Sequence, residues 1–309
     1  MRITNRVMNN NLLLNLNRGL QRLDRINNQL GSKKQISVPS DDPVKAGIIL
    51  RTSTSIRETE QYLRNIDSAE SWLDASDIVM KDVLSVLHRA KELAVAGASS
   101  HLDTTDRQAL ADEVSQLHDN LLQLANSTHG GRYLFAGQYT QNKPFVLDPD
   151  HTGEGLADVI FLHDVTPDPN AVSLEFEIGV GVTVGVNMDA EAMFTNLFDA
   201  LKSLHSNLIA KNGDEPGDPV SGQILEDLDD ALDDVLQHIS LLGGKQNRVE
   251  LARERLLDLQ LNLTKILSEE QDLDYAEAIM ELKMEEFAYR TALSVGARII
   301  QPTLVDFLR

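Results

Sequence analysis

The chain has 309 residues, 28 Lys plus Arg against 48 Asp plus Glu, a formal net charge of −20, 42% hydrophobic residues and no cysteine. Such a chain can form a hydrophobic core, but it has no disulfides, thiolate catalysis or cysteine-based metal sites, and its charge disfavours nucleic acid as the main partner. It also lacks an uncharged run of 18 residues and the apolar segment of a secretory signal, so we expect no membrane span and no cleaved export signal.

The first predicted element is a helix near the N-terminus. Its apolar seam steps by three and four residues, as in one strand of a coiled coil, and comprises Leu13, Leu16, Leu20, Leu23, Asn27 and Leu30. The polar Asn27 either fixes the register of a partner helix or lies near the end of this one. Residues 1–34 contain seven basic side chains and one acidic one, so this segment is basic although the whole chain is acidic.

Two further helices are predicted in the first half. Pro43, which follows two aspartates, is typical of a helix N-terminus. A heptad seam then continues to Gly97 through Ile56, Leu63, Ile66, Leu73, Met80, Leu84, Leu87 and Ala94. The next helix is predicted to begin at Thr105, with Gln108 in capping-box spacing, and to end at Gly130. Its predicted seam is Leu110, Val114, Leu117, Leu121 and Leu124.

The second half repeats this helical pattern after a different middle segment. The first apolar stripe is Phe194, Leu197, Leu201, Leu204 and Leu208, and the second is Leu225, Leu228, Leu232, Val235, Ile239 and Leu242. Beyond Gly243 and Gly244 a seam resumes in a shifted register and extends to Phe287. A continuous helix over 245–290 would be roughly 70 Å long, which predicts an elongated molecule.

The middle segment has its own composition and period. From Pro144 to Leu201 there is no Lys or Arg, whereas acidic residues are frequent. Apolar residues occupy every second position from Val172 to Val186, and the residues between them are polar or glycine. This alternation predicts β-structure with one buried face, turned at the glycines. The apolar run 159–162 is predicted to be its partner strand.

These patterns together predict a mainly α protein, an elongated rod of long coiled-coil-like helices from both chain ends with a small inserted β-rich domain. We expect residues 1–40 plus 280–309 to form a terminal helical assembly region that is disordered in the isolated monomer. Residues 41–140 plus 190–279 would form the helical rod core, and 141–189 the inserted domain.

No residue pattern predicts catalysis, a cofactor or a metal site. The glycines of 179–185 miss the dinucleotide fingerprint by one residue and lie in a strand pattern. Asp148 and Asp150 resemble the start of a calcium loop, but the twelfth position lacks the required Glu, so a turn is favoured. The acidic residues of 226–234 interleave with apolar ones, as on the solvated face of an amphipathic helix. The eight histidines are scattered without metal-ligand spacing.

The two chain ends carry apolar helical segments with no obvious internal cover. An isolated helix with eight Asn in its first 28 residues would be marginal in water, so its natural partner is the C-terminal segment. We expect both ends to be buried in a larger assembly and to order on binding. The predicted assembly interface comprises Leu13, Leu16, Leu20, Leu23, Leu30, Met280, Met284, Phe287, Leu293, Ile300, Leu304 and Phe307.

Several short stretches near both ends carry a family resemblance. They are Met1–Asn5, Pro39–Pro43, Arg132–Gly137, Asp274–Ile279, Ala288–Leu293 and Ile300–Leu308. The chain resembles the flagellin superfamily over about residues 1–145 and 245–309. Its Asp41-Asp42-Pro43 turn and its Gln301-Pro302 tail are more similar to the hook-associated members of that superfamily than to filament subunits. The stretch Gly31–Ile36 departs from the usual family pattern.

The resemblance implies a structural role without catalysis or cofactor. The chain would be a subunit of the bacterial flagellum that links hook to filament and assembles through its terminal helices into a helical tube. It would be exported unfolded by the flagellar type III apparatus and act outside the cell. The implied partners are the first hook-associated protein, flagellin, further copies of the chain and an export chaperone.

Other functions remain open at the level of sequence. A filament flagellin subunit would share the terminal pattern. A coiled-coil scaffold would explain the heptads, but it would not require two apolar ends around a sheet insertion. A calcium-dependent adhesin would use the acidic middle segment, and a hydrolase in that segment would need a nucleophile and base that the sequence does not show.

Overall fold

The computed structural model describes residues 5–99, 102–137, 140–148, 156–162, 174–188, 190–209 and 222–300. The helices in this described part are α1 (Asn5–Ser32), α2 (Pro43–Gly97), α3 (Thr104–Ala125), α4 (Glu191–Ile209), α5 (Gly222–Gln271) and α6 (Tyr275–Ile300). The strands are β1 (Thr128–His129), β2 (Arg132–Tyr133), β3 (Phe145–Leu147), β4 (Val159–Phe161), β5 (Glu175–Gly179) and β6 (Val182–Gly185). The prediction of a mainly α protein with a small β-rich middle is therefore confirmed.

The chain divides into two compact units. The first contains the residues up to Thr59 and those from Asp258 onward, and the second contains Glu60–Leu257. Both α2 and α5 contribute to each unit. The first unit thus combines the two terminal helices α1 and α6 with one end of each long helix.

The second unit has a hydrophobic core built on seven-residue spacing. In α2, Ile66, Leu73, Met80, Leu87 and Ala94 are at most 1% exposed, which confirms that predicted seam. In α4 all five residues of the predicted stripe are buried, and α3 packs against this helix. In α5, Leu228, Val235, Leu242, Val249 and Leu256 are buried at this seven-residue spacing, and Ile224 and Ala231 are buried beside them. This spacing continues unchanged through Gly243 and Gly244, so the predicted register shift there is wrong.

Two predicted helix boundaries are also corrected. The predicted continuous helix over 245–290 is wrong, because α5 ends at Gln271 and α6 begins at Tyr275. Helix α3 begins one residue earlier than predicted, and its N-cap is Asp103, whose Oδ1 accepts a hydrogen bond from the Thr104 amide at 2.7 Å. It ends at Ala125, where the Asn126 amide donates to the Leu122 carbonyl. The Asp103 cap, more than the spacing of apolar residues, sets the start of α3.

The strands form three separate two-stranded antiparallel sheets in the described part of the chain. Strands β5 and β6 form a hairpin that turns at Gly181, whose φ of +67° favours glycine. This confirms the prediction of β-structure turned at glycines. The predicted pairing of 159–162 with this hairpin is wrong, because β4 pairs with β3 and brings the ring centroids of Phe145 and Phe161 to 5.1 Å. An aromatic pair of this kind stabilises the pairing of β3 with β4.

Candidate assembly site

Helices α1 and α6 pack against each other as an antiparallel pair, which we call the terminal pair. Arg22 lies beside Glu285, Gly19 beside Tyr289 and Leu12 beside Gly296. Residue numbers therefore fall along α1 as they rise along α6. The expectation that the N-terminal helix has the C-terminal segment as its partner is confirmed.

One end of this antiparallel arrangement is tied by backbone hydrogen bonds. Lys34 and Asp272 form an antiparallel bridge. The Gln35 amide donates to the Gln271 carbonyl at 2.8 Å, and the Leu273 amide donates to the Lys33 carbonyl at 3.2 Å. The chain segments that leave α1 and enter α6 are thus joined like two short strands, which helps to fix the register of the two helices.

The inner seam of the terminal pair is a heptad on both helices. Its members are the buried or half-buried residues Leu12, Leu16, Gly19, Leu23, Ile26 and Leu30 of α1, and Ala278, Leu282, Glu285, Tyr289, Ala292 and Gly296 of α6. Steps of four and three residues recur on each helix, as coiled-coil packing requires. Large side chains lie opposite small ones in this seam, as Tyr289 does opposite Gly19.

The observed seam corrects the one predicted for α1. Leu16, Leu23 and Leu30 lie in it, but Leu13, Leu20 and Asn27 are exposed. Their places are taken by Leu12, Gly19 and Ile26. Because Asn27 lies outside the seam, it does not fix the register of this pair. The residue that marks the true seam is Gly19. A periodicity pattern does not count glycine as apolar, but glycine at this position permits close packing of the two helices.

Large apolar side chains remain on the outer face of the terminal pair. On α6, Met280, Met284 and Phe287 are 61%, 66% and 73% exposed, and Leu293 is also exposed. On α1, the exposed members are Val7, Leu13, Leu14 and Leu20. We call these residues the outer apolar face. Met280, Met284 and Phe287 are spaced by four and three residues and so share one face of α6, and an exposed apolar stripe of this kind is typical of a surface that another protein covers.

Three residues of the predicted interface lie at or beyond the end of the described chain. The backbone of Ile300 ends α6, and its side chain lies outside the described part. Leu304 and Phe307 lie outside the described residues. The assembly role of all twelve predicted residues stays a prediction.

The two helices of the terminal pair carry charges of opposite balance. Between Leu12 and Ser32, α1 has three arginines and one aspartate, whereas α6 is rich in glutamate. Arg22 Nε donates to Glu285 Oε1 at 2.8 Å, and its Nη2 donates to Oε2 at 3.1 Å. This paired contact raises the pKa of Arg22. Because the guanidinium is open to solvent, the contact adds orientation more than stability.

Two aspartates cap the helices α2 and α6 where each begins in the first unit. Asp42 Oδ1 accepts hydrogen bonds from the amides of Val44 and Lys45 at 2.9 and 3.1 Å, and Pro43 occupies the first helical position of α2. Asp274 Oδ1 accepts from the amides of Ala276 and Glu277 at 2.9 and 3.2 Å. Both aspartates belong to the family-like stretches of the sequence, and both act as N-caps.

Other candidate chemistry finds structural explanations. The glycines of 179–185 belong to the β5–β6 hairpin, not to a strand-to-helix turn. The acidic residues of 226–234 lie mostly on the exposed side of α5, and Asp229 pairs with Lys91. Asp150 lies outside the described residues. Within the residues that the structure describes, no group of three metal-ligating side chains occurs and no helix is long and apolar enough to cross a membrane.

Two protein-family models match the chain, and together they cover most of it. The bacterial flagellin N-terminal helical region matches residues 3–140, and the bacterial flagellin C-terminal helical region matches residues 225–308. The chain belongs to the flagellin superfamily. The matched regions contain α1 to α3 on one side and nearly all of α5 and α6 on the other, which confirms the resemblance seen in the sequence.

Individual relatives extend across most of the chain. Flagellar hook-associated protein 3 of Escherichia coli K12 is 27% identical over 272 residues, covering 85% of this chain and 86% of its own. Flagellin of Bacillus subtilis is 25% identical over 284 residues, covering 87% and 85%. Similarity thus reaches hook-associated and filament members alike, and this flagellin-superfamily chain is a structural flagellar protein.

Solved structures share the fold. The FlgL structure from Bacillus cereus has a TM-score of 0.55 at 21% identity and covers 71% of this chain and 99% of its own. The flagellar junction protein FlgL from Legionella pneumophila has a TM-score of 0.58 at 16% identity and covers 73% and 100%. The fold of this superfamily member is therefore shared with these solved structures.

Proposed function

We propose that this flagellin-superfamily chain is the structural subunit that joins hook to filament, and that it assembles through its terminal helices into a helical tube. The observation that carries the proposal is the outer apolar face of the terminal pair, where Phe287 is 73% exposed. The E. coli relative named flagellar hook-associated protein 3, which aligns across most of both chains, supports the position at the junction.

The outer apolar face would be covered by neighbouring subunits. Burying a side chain of the size of Met284 or Phe287 contributes about 1.5–3 kcal/mol, so a few such residues per contact favour association. The opposite charge balance of α1 and α6 would favour contact between unlike helices of adjacent copies. The chemistry of assembly would thus be packing, register and partner choice.

The proposed partners follow from that position. The first hook-associated protein would lie on the hook side, flagellin on the filament side, and further copies of the chain around the tube. An export chaperone would bind the chain before assembly, and the protein would act outside the cell. The absence of cysteine is compatible with export of an unfolded chain.

The proposed domain organisation uses the boundaries predicted from the sequence. Residues 1–40 plus 280–309 would be the assembly region, 41–140 plus 190–279 the helical core, and 141–189 an inserted domain. The apolar seam and the exposed apolar residues of α1 and α6 support this role for the chain ends.

A double variant of the outer apolar face tests the proposal. We expect Met284→Gln with Phe287→Gln to reduce binding to the purified first hook-associated protein and to flagellin at least tenfold, while circular dichroism stays unchanged because both side chains are exposed. The matched control is Val180→Gln, since Val180 is 86% exposed at the tip of the β5–β6 hairpin. Equal binding by the double variant and the wild type would contradict the proposed surface.

A filament subunit is the second candidate, supported by the B. subtilis flagellin relative that aligns over 284 residues. A filament subunit would elongate flagellin seeds without limit, whereas a junction subunit would add at a hook-associated end and stop. Seeded growth followed by electron microscopy separates these functions. Long filaments made of this chain alone would favour the second candidate.

A further inference from the structure

Two histidines from facing helices are buried in the core of the second unit. His118 of α3 is 2% exposed and His205 of α4 is 6% exposed. Helices α3 and α4 pack directly against each other, so both imidazoles lie within one helix interface. Neither belongs to the terminal pair, and the proposed assembly function does not use them.

The histidine pair is buried beside an aromatic ring and has ring nitrogens with no hydrogen-bond partner in the part of the chain that the structure describes. The ring of Phe198 lies edge-on to the ring of His118, with centroids 5.2 Å apart and planes at 64°. Within the described part of the chain, Nδ1 of His118 and Nδ1 of His205 are both buried without a hydrogen-bond partner. A protonated imidazole donates from both ring nitrogens, so this interface suits the neutral form of each.

Among the described residues, two carboxylates act on the pair. Asp119 neighbours His118 on α3, with its Oδ1 3.9 Å from Nδ1, and Asp112 of the same helix acts on His205. From α4, His205 acts on His118, and each would repel the other if both were charged. The side chain of Asp119 is 68% exposed, so its compensation is screened by water.

Burial dominates the titration of both groups. It lowers the pKa of His118, and the nearby Asp119 offsets this only in part. Burial likewise lowers the pKa of His205 against the opposing effect of Asp112. Both pKa values therefore lie below the ordinary histidine value of 6.5 in the folded state. As pH falls below 6.5, the unfolded chain takes up protons before the folded one, and stability decreases.

We propose that the His118–His205 pair is an acid-sensitive joint, whose protonation opens the α3–α4 interface and loosens the second unit while the terminal pair stays packed. All eight histidines of the chain lie between residues 60 and 257, so the first unit contains none. The joint would let mild acid remodel the α3–α4 region of a subunit whose terminal helices remain assembled. It requires no metal or further ligand.

Urea unfolding between pH 5.5 and 7.5 tests this joint. Trp72, the single tryptophan, is buried in the second unit and reports on it through its emission maximum. For the wild type, the unfolding equilibrium constant should rise by up to about tenfold per histidine for each pH unit below 6.5. In the double variant His118→Phe with His205→Leu, this dependence should be lost.

Two control variants separate the effect of histidine protonation from a general loss of stability. His88→Gln removes an exposed histidine and should leave the pH dependence unchanged. His129→Gln is included because the His129 ring lies 6.1 Å from the Trp72 ring and would affect its emission. If the double variant does not fold, NMR titration of the wild-type imidazoles decides. A pKa at or above 6.5 for both residues, or an unaltered pH dependence in a folded double variant, would overturn the proposal.

Discussion

Leu12 of α1 fills the space that a side chain on Gly296 of α6 would need. A Cβ atom at Gly296 would lie 2.5 Å from Leu12 Cδ2, well inside van der Waals contact. At Gly19, in the other helix of the pair, a Cβ atom would lie 3.4 Å from Tyr289 Cδ2, which is an ordinary contact. The two glycines thus both allow close approach of the helices, but only Gly296 excludes a methyl group in the present side-chain arrangement.

Gly296→Val should therefore destabilise the terminal pair by about 1–3 kcal/mol, because it overpacks the inner seam. Valine is also restricted by its β-branch in a helix. Hydrogen exchange read by mass spectrometry should show faster exchange of α1 and α6 peptides, and the second unit should be unaffected.

Gly19→Ala serves as the matched control for that variant. It should be neutral, or stabilising by up to about 1 kcal/mol, because alanine is the better helix former. Adding Leu12→Ala to Gly296→Val should recover part of the loss, since it removes the opposing side chain. If α1 and α6 peptides of Gly296→Val exchange at the wild-type rate, the register of these two helices differs from the observed one.

The position of the seam in α1 is tested by two truncations. Ile26→Ala should cost about 2–4 kcal/mol, because Ile26 is 4% exposed and the truncation leaves a cavity. Leu20→Ala should cost less than about 1 kcal/mol in the monomer, because Leu20 is 47% exposed. Hydrogen exchange of α1 peptides measures both. A larger loss of stability in Leu20→Ala than in Ile26→Ala would instead support the seam predicted from the sequence.

The sequence predicted long elements better than it predicted which face of a helix is buried. In α2, leucine, isoleucine and methionine recur at seven-residue spacing, and Ile66, Leu73 and Met80 are buried as expected. In α1, leucines occupy 12, 13 and 14, so two seams fit equally. Which of the two seams is buried depends on Gly296 and Tyr289 in the partner helix, and the sequence of α1 alone does not show this.

The same limitation explains why the histidine pair was missed. The predicted seam of α3 was Leu110, Val114, Leu117, Leu121 and Leu124. Val114 and Leu121 are buried as predicted, but Leu110, Leu117 and Leu124 are only half-buried, and the other buried residues are Ala111, His118 and Ala125. Small and polar residues at a regular spacing of three and four were the available signal. Their burial depends on α4, which lies far away in the chain.

The N-cap of α2 offers a direct test of the turn that precedes this helix. Asp42→Ala should lower stability by about 0.5–2 kcal/mol, because the amides of Val44 and Lys45 lose their acceptor. Asp42→Asn keeps an acceptor oxygen and should lie close to wild type. Thermal unfolding by circular dichroism measures the difference, and equal loss in both variants would assign the effect to charge instead of capping.

Removal of residues 285–309 tests whether α1 depends on α6. Eight of the 28 residues of α1 are asparagine, which is a poor helix former. Without its partner, α1 should therefore be marginal in water. Circular dichroism should lose more helix than the deleted residues contain, and α1 peptides should exchange at the rate of an unfolded chain.

Trp72 emission supplies the internal control for this deletion. Trp72 lies in the second unit, so its emission maximum should not change when α6 is shortened. Binding to the first hook-associated protein and to flagellin should be lost together with the helicity of α1. If the shortened chain keeps α1 helical and still binds, the terminal pair is not the unit of assembly, and a coiled-coil scaffold function would explain the heptads better.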